Sequence, residues 1–198
     1  MLKGIDVSVW QGNIDWAKAA KEIDFAILRA GYGNSTKDKK FEQNYAGCQS
    51  NHVYKGVYWY NYAKNISAAK NEANACLAAI KGKQIDFPIW YDIEENSVFA
   101  TGKNNVSAIA KTFCEIIAAA GYKVGIYSSK SALQTYFTDE VKNKYYVWMA
   151  NVGKNGTALS STSYKGKMDI WQYSWKGRVS GISGDVDMDY CYTNFITN

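Results

Sequence analysis

The stretch "FPIWYDIEEN", residues 87–96, runs from apolar side chains into three carboxylates, Asp92, Glu94 and Glu95. A short apolar run of this kind is typical of a buried strand. Apolar residues then recur at helical spacing between Val106 and Ala120. The segment therefore predicts a strand–helix unit that carries acids at the carboxyl end of its strand.

The same unit occurs on both sides of this stretch. Four other apolar segments each precede a helical segment: "KGIDVSVW" (3–10), "DFAILRAG" (24–31), "KGVYWYNYA" (55–63) and "YKVGIYSS" (122–129). Three later segments read as strands without helices between them: "YYVWMAN" (145–151), "KMDIWQYS" (167–174) and "DVDMDYCY" (185–192). Repeated strand–helix units imply parallel strands, and eight strands are the number that closes a barrel.

We therefore expect an α/β fold, an irregular TIM-like barrel of the (β/α)5(β)3 type, with a doubly wound open sheet as the alternative. No linker, repeat or low-complexity block interrupts the chain, so residues 1–198 are expected to form a single catalytic domain. Hydrophobic residues make up 47% and charged residues 21% of the chain, which argues against disorder.

The charge and the apolar runs exclude several classes of partner. The net charge is +5, but basic residues are scattered, as in "KDKK" at 37–40, so nucleic acid is not expected to bind. No apolar run reaches the ~18 residues of a membrane span, and no signal-peptide pattern opens the chain. We expect a monomer made in the cytoplasm without a signal peptide, and no membrane contact.

Metal and nucleophile chemistry have little support in the sequence. The four cysteines show no CxxC pair, and we expect buried reduced thiols. His52 is the only histidine, which disfavours Ser-His-Asp, Cys-His and zinc sites. No phosphate-binding glycine loop follows the first strand. A carboxylate-bound Mg²⁺ or Ca²⁺ stays open from the acids alone, but 7 Trp and 16 Tyr favour a sugar groove. We expect no metal and no cofactor.

Acids collect where the strands of the predicted barrel end, and strand ends form the active-site mouth of such barrels. Asp92 and Glu94 lie two residues apart and share one strand face, whereas Glu95 points the other way. Two converging carboxylates raise each other's pKa, so one can stay protonated as a general acid. Glycoside hydrolysis uses such a pair. A lone D-x-E is more often a pair of solvated residues at a strand end. Because Asp6 and Asp187 stand at the ends of two other predicted strands, the four acids together favour an active site.

Five motifs, in this order, resemble the family 25 glycoside hydrolases, the Chalaropsis-type lysozymes: "GIDVSVWQG" (4–12), "YDIE" (91–94), "GIYS" (125–128), "IWQYS" (170–174) and "GDVD" (184–187). The resemblance implies a barrel of five βα units plus three strands. It also implies cleavage of the β-1,4 bond between N-acetylmuramic acid and N-acetylglucosamine in bacterial cell-wall peptidoglycan. Members include phage endolysins and bacterial autolysins that act outside the cytoplasm, often with a C-terminal wall-binding module, which we expect in the full-length protein.

The resemblance also implies residue roles. Glu94 matches the proton donor, and Asp92 matches its partner. Asp6 and Asp187 match two further acids, and we choose Asp187 over Asp189 because Val186 completes the motif. The substrate-binding positions are Tyr62, Tyr127, Trp148, Trp171 and Gln172, to which we add Arg29 from the second strand's end.

Three mechanisms stay open at this point: assistance by the substrate's 2-acetamido group, a glycosyl-enzyme intermediate, and inversion through a water molecule. Two other functions also stay open. One is a catalytically silent wall-binding barrel, and the other is a chitinase-like enzyme.

Overall fold

The computed structural model describes residues 1–196. Its strands are β1 (Leu2–Val7), β2 (Phe25–Tyr32), β3 (Thr36–Lys37), β4 (Tyr54–Tyr60), β5 (Ile89–Asp92), β6 (Val124–Ser129), β7 (Tyr146–Ala150), β8 (Ile170–Gly177) and β9 (Val186–Cys191). Its helices are α1 (Trp16–Ala19), α2 (Phe41–Ser50), α3 (Ile66–Ile80), α4 (Asn96–Phe99), α5 (Lys103–Ala119), α6 (Lys130–Tyr136) and α7 (Asp139–Lys144), with 3₁₀ turns at Val9–Gln11 and Lys154–Gly156.

Eight strands close into a barrel, because β1 pairs with β2 on one side and with β9 on the other. The first seven barrel strands run parallel, and β9 runs antiparallel to both of its neighbours. The short strand β3 lies outside the barrel, antiparallel to the end of β2. The predicted (β/α)5(β)3 barrel is confirmed, and the open-sheet alternative is wrong.

Helix α3 illustrates why these segments become helices. The side chain of Asn65 accepts a hydrogen bond from the amide of Ala68, which caps the first turn. Ala69, Ala73 and Cys76 then recur at helical spacing and are buried against the barrel. The apolar stripe and the cap therefore fix both the start and the orientation of the helix.

The barrel interior is filled by aromatic rings below the mouth. Trp90 packs edge-on against Trp148, with 5.8 Å between ring centroids, and against Phe195, at 6.2 Å. Gly125 on β6 makes room for this ring, since a Cβ there would lie 2.3 Å from Trp90. The filled lower half leaves the carboxyl ends of the strands as the open end.

The four cysteines, Cys48, Cys76, Cys114 and Cys191, are buried and free, as predicted. Within residues 1–196, no helix combines the length and the apolar character needed to cross a membrane.

Candidate active site

A cavity of about 770 Å³ opens at the carboxyl ends of the parallel strands. Its lining combines carboxylates, aromatic rings and a few cations. The residues that line it are Asp6, Ser8, Val9, Trp10, Gln11, Arg29, Tyr32, Thr36, Lys37, Asp38, Lys39, Tyr58, Tyr60, Tyr62, Asp92, Glu94, Tyr127, Trp148, Gln172 and Asp187.

Asp92 and Glu94 both line this cavity, as the two-residue spacing predicts. Asp92 is the last residue of β5 and is only 4% exposed. Its Oδ1 atom is buried and has no hydrogen-bond partner among residues 1–196. Glu94 follows the strand and is exposed at the mouth. Asp92 is therefore nearly buried in the cavity wall, while Glu94 is open to a ligand and to water.

Burial is the main cause that raises the pKa of both carboxyls. For Asp92 the charge of Glu94 raises the pKa further, and the charge of Arg29 lowers it. For Glu94 the Tyr60 hydroxyl lowers the pKa, and the charge of Glu95 raises it. The cavity walls remove water from one side of Glu94 even though its side chain is exposed at the mouth. The pair therefore holds protons at higher pH than free carboxyls do.

The direction of β9 brings two more acids to the site. Because β9 is antiparallel to β1, Asp187 near its start pairs with Asp6 near the end of β1. Burial, followed by the charges of Glu94 and Asp185, raises the pKa of Asp187 to about 7. Burial, Asp187 and Asp189 raise the pKa of Asp6.

Asp189 lies one step deeper in the barrel than Asp187, opposite Gly4, and is fully buried. Its Oδ1 accepts a hydrogen bond of 2.8 Å from Trp148 Nε1, and its Oδ2 has no partner among residues 1–196. Asp187, not Asp189, lines the cavity. This placement agrees with the choice made from the motif.

Gln172 joins the Asp6 side of the cavity to its aromatic wall. Its Nε2 donates to Asp6 Oδ2 over 2.7 Å. Its Oε1 accepts from the Tyr127 hydroxyl and from Trp175 Nε1, each over 2.8 Å. One N–H and the carbonyl oxygen of this amide group therefore bind neighbouring side chains, and the second N–H has no partner among residues 1–196.

Arg29 forms the opposite wall with Asp38. Arg29 Nε donates to Asp38 Oδ2 over 2.7 Å, and the amides of Val9 and Lys40 also donate to this carboxylate. The guanidinium lies 5.4 Å from the ring centre of Tyr32. Asp38 thus holds Arg29 beside the cavity, although the "KDKK" stretch that contains it reads as a surface segment.

Trp171 is the one predicted site residue that the structure does not bring to the cavity. Side chains alternate along β8, so Gln172 points inward and Trp171 points outward. Its ring packs near Tyr173 and Tyr190, and its Nε1 donates to the carbonyl of Asn151 over 2.9 Å. The prediction for Trp171 is corrected on this point. The other predicted residues all line the cavity: Asp6, Asp92, Glu94, Asp187, Tyr62, Tyr127, Trp148, Gln172 and Arg29.

The predicted substrate-binding set left out Tyr58 and Tyr60, which line the cavity with Tyr62, although Tyr60 stands at a predicted strand end. The two-residue alternation along "YWYNY" was the signal that could have found them. The hydroxyl of Tyr60 donates to Glu95 Oε1 over 2.6 Å. Glu95 itself is outside the cavity lining. Trp10, which follows the first predicted strand but was not in the predicted binding set, lines the cavity and is 82% exposed.

No group of three or more His, Cys, Asp or Glu side chains within residues 1–196 is arranged to hold a metal ion.

A closed βα-barrel whose mouth combines paired carboxylates with aromatic walls has the site of a glycoside hydrolase. The sequence profile of the glycosyl hydrolases family 25 matches residues 5–182, and the chain belongs to that family. The chain is 30% identical to Lysozyme M1 of Streptomyces globisporus over 94% of its length and 66% of that protein. It is 28% identical to YegX of Escherichia coli K12, over 95% of the chain and 68% of YegX. The crystal structure of the CTP1L endolysin superimposes with a TM-score of 0.83 at 29% identity, over 98% of this chain and 68% of that one.

Proposed function

We propose that this glycosidase is a peptidoglycan hydrolase, an N-acetylmuramidase or lysozyme of the EC 3.2.1.17 type. It cleaves the β-1,4 bond between N-acetylmuramic acid and N-acetylglucosamine in the bacterial cell wall. The observation that carries the proposal is the pair at the mouth, in which Glu94 is open to the cavity and Asp92 keeps a buried carboxylate oxygen without a partner. Relatives named as a lysozyme and an endolysin support the choice of substrate.

Glu94 is the general acid in this proposal. Its raised pKa keeps a larger protonated fraction near neutral pH, and its exposed position lets it reach the glycosidic oxygen of a bound glycan. After bond cleavage the same group, now ionised, can take a proton from the incoming water.

Asp92 orients the sugar's 2-acetamido group. The amide N–H of that group is a donor that the carboxylate of Asp92 can accept, because Asp92 lines the cavity. Held in this way, the acetamido oxygen can attack the anomeric carbon as the leaving oxygen takes the proton of Glu94. We therefore favour substrate assistance over a glycosyl-enzyme at Asp92 or Asp187.

The remaining acids and the walls position the glycan. Asp187, when ionised, adds negative charge beside the sugar cation that develops in the transition state. Tyr62, half exposed at the rim, offers a flat ring for a sugar face. Arg29 and Gln172 supply donors, while Tyr127 and Trp148 are buried in the floor. The enzyme acts on wall outside the cytoplasm; a monomeric state and a C-terminal wall-binding module stay predictions.

Glu94→Gln tests the proposal with a change that keeps size and shape. We expect lysis of purified cell walls to fall by about 10²- to 10⁴-fold, the usual contribution of a general acid. The melting temperature should not fall, because Glu94 makes no salt bridge among the described residues. Glu115→Gln, the same substitution at an exposed position of α5, is the control and should keep full lysis.

If Glu94→Gln still lyses walls at the wild-type rate, Glu94 is not the general acid. A wild-type protein that sediments with walls without releasing reducing ends would instead favour a silent binding barrel. Faster cleavage of chitin oligomers than of peptidoglycan would favour a chitinase-like enzyme.

A further inference from the structure

A buried polar cluster lies behind the cavity wall, between the barrel and α3. It consists of Asn61, Glu72 and Tyr91, each no more than 1% exposed, and we call it the Glu72 cluster. Glu72 Oε2 accepts from the Tyr91 hydroxyl over 2.8 Å and from Asn61 Nδ2 over 3.2 Å. Glu72 Oε1 accepts from the amide of Tyr62 over 3.0 Å. None of the three side chains in this cluster lines the cavity.

The chain neighbours of the cluster are site residues. Tyr91 directly precedes Asp92, and Asn61 directly precedes Tyr62. The amide of Asn61 also donates to the carbonyl of Asp92 over 2.8 Å. Because side chains alternate along an extended chain, Tyr91 of β5 and Asn61, directly after β4, bind Glu72, while Asp92 and Tyr62 line the cavity. One carboxylate on α3 thus ties together the ends of the two strands that carry the aromatic rim and the acid pair.

Stability alone does not account for Glu72. No salt bridge reaches it within residues 1–196, and its neighbours on the same helix face are Ala69, Ala73 and Cys76. A buried carboxylate without a cation costs free energy that an apolar side chain of similar volume would not cost. Burial raises the pKa of Glu72, and its hydrogen bonds only partly oppose that effect.

The cluster is also fixed from the other side. The ring of Tyr91 stacks on Phe113 of α5, with 3.8 Å between centroids and 3° between planes. Tyr91 therefore cannot shift along its strand without losing this contact. Three hydrogen bonds to the one buried Glu72 carboxylate hold one arrangement of the elements they join, while Asn61 Oδ1 has no partner among residues 1–196.

We propose that Glu72 is a positioning residue for glycan cleavage, because it sets the position of the Tyr62 segment relative to Asp92 and Glu94. The inference rests on the proposed function where it is tested by the kcat for peptidoglycan. The position of Tyr62 relative to Asp92 in a variant tests it independently of that function. Loss of the Glu72 carboxylate removes its bonds to the Tyr62 amide and the Asn61 side chain and leaves backbone pairing alone to hold the end of β4 to β5, so the Tyr62 segment shifts and the glycan lies out of line with the acid pair.

Glu72→Gln removes the charge and one acceptor while keeping the side chain's size. We expect kcat on purified peptidoglycan to fall by about tenfold to a hundredfold, the usual effect of a displacement near 1 Å, with a smaller change in KM. Cys76→Ala, one turn along the same buried face, is the control; it should lower the melting temperature and leave kcat unchanged. Tyr91→Phe removes only the hydroxyl, and its effect should not add to that of Glu72→Gln.

Equal kcat in Glu72→Gln and Cys76→Ala, measured well below both melting temperatures, would overturn the inference. If Glu72→Gln does not fold, Tyr91→Phe decides by the same kcat comparison. Crystal structures give a readout without activity: we expect the Cα of Tyr62 to move by more than about 0.5 Å relative to Asp92 in the variant, and no movement would contradict the role. If the wild type releases no reducing ends, the proposed function fails, and the structural comparison still decides the role of Glu72.

Discussion

Asp187→Asn should make the protein more stable at neutral pH while it weakens catalysis. Asp187 stands among the acids of the cavity, and its side chain makes no hydrogen bond or salt bridge within the described residues. Burial and the charges of Glu94 and Asp185 raise its pKa from 3.8 to about 7. Asparagine has nearly the same shape and carries no charge, so the substitution removes the repulsion without opening a void.

The size of the effect follows from the linkage between protonation and folding. A carboxyl that binds its proton more tightly in the folded state destabilises the protein as pH rises above the unfolded pKa. This loss of stability reaches its full size once the pH exceeds the pKa of the carboxyl in the folded state. A difference of about three pH units corresponds to at most roughly 4 kcal/mol, and partial solvent access reduces it. Relative to the wild type, the free energy of unfolding of Asp187→Asn should be unchanged at pH 3.5 and should be higher by the full amount at pH 8.

Urea unfolding at pH 3.5, 5, 6.5 and 8 measures this difference, provided that the slope of the transition stays constant. Asp185→Asn is the control. Asp185 is paired with Lys176 and Arg178, which lower its pKa, so its stabilising effect is present above the unfolded pKa and is lost as pH falls. Its replacement should therefore give no comparable gain at pH 8.

If Asp187→Asn raises the free energy of unfolding by the same amount at all four pH values, the electrostatic reasoning is refuted. Such a result would indicate a packing effect, which does not depend on pH. A loss of stability at pH 8 would refute it more directly, because it would mean that the ionised Asp187 has a partner.

Two further variants test other parts of the site. Asp189→Asn keeps the acceptor for Trp148 and removes a buried charge that Asp187 repels, so thermal unfolding should show a higher melting temperature, most clearly at high pH; a lower value at pH 8 would contradict this reasoning. Tyr62→Ala should raise KM for peptidoglycan by about fivefold to tenfold, from the loss of a ring worth roughly 1 kcal/mol, whereas Trp171→Phe should leave KM unchanged. Equal effects on KM would contradict the placement of Trp171 outside the cavity.

Much of the fold could be predicted because each strand–helix unit carries a local signal. Apolar runs followed by helical stripes predict parallel strands, and strand ends such as Asp6 and Asp92 then predict the mouth. The alternation rule correctly puts Asp92 and Glu94 in the same cavity. The same rule excludes Trp171 once Gln172 is taken as inward, and it was the motif rather than the alternation that suggested Trp171.

The other features of the site depend on contacts between segments that are distant in the sequence, and no local sequence pattern indicates such contacts. The antiparallel direction of β9 pairs Asp187 with Asp6 across almost the whole chain. Asp38 reads as part of a charged surface run until β3 folds back on β2 and buries it against Arg29. Glu72 reads as a polar interruption of a helix stripe, since its partners come from two other strands.

Mass spectrometry of peptidoglycan fragments, from digests with the wild type and with Glu94→Gln, tests the central claim most directly. If the chain is a muramidase with Glu94 as its general acid, the wild type releases fragments that end in reducing N-acetylmuramic acid, and Glu94→Gln releases none above background. Fragments that end in reducing N-acetylglucosamine, or intact glycan strands with the wild type, would contradict it.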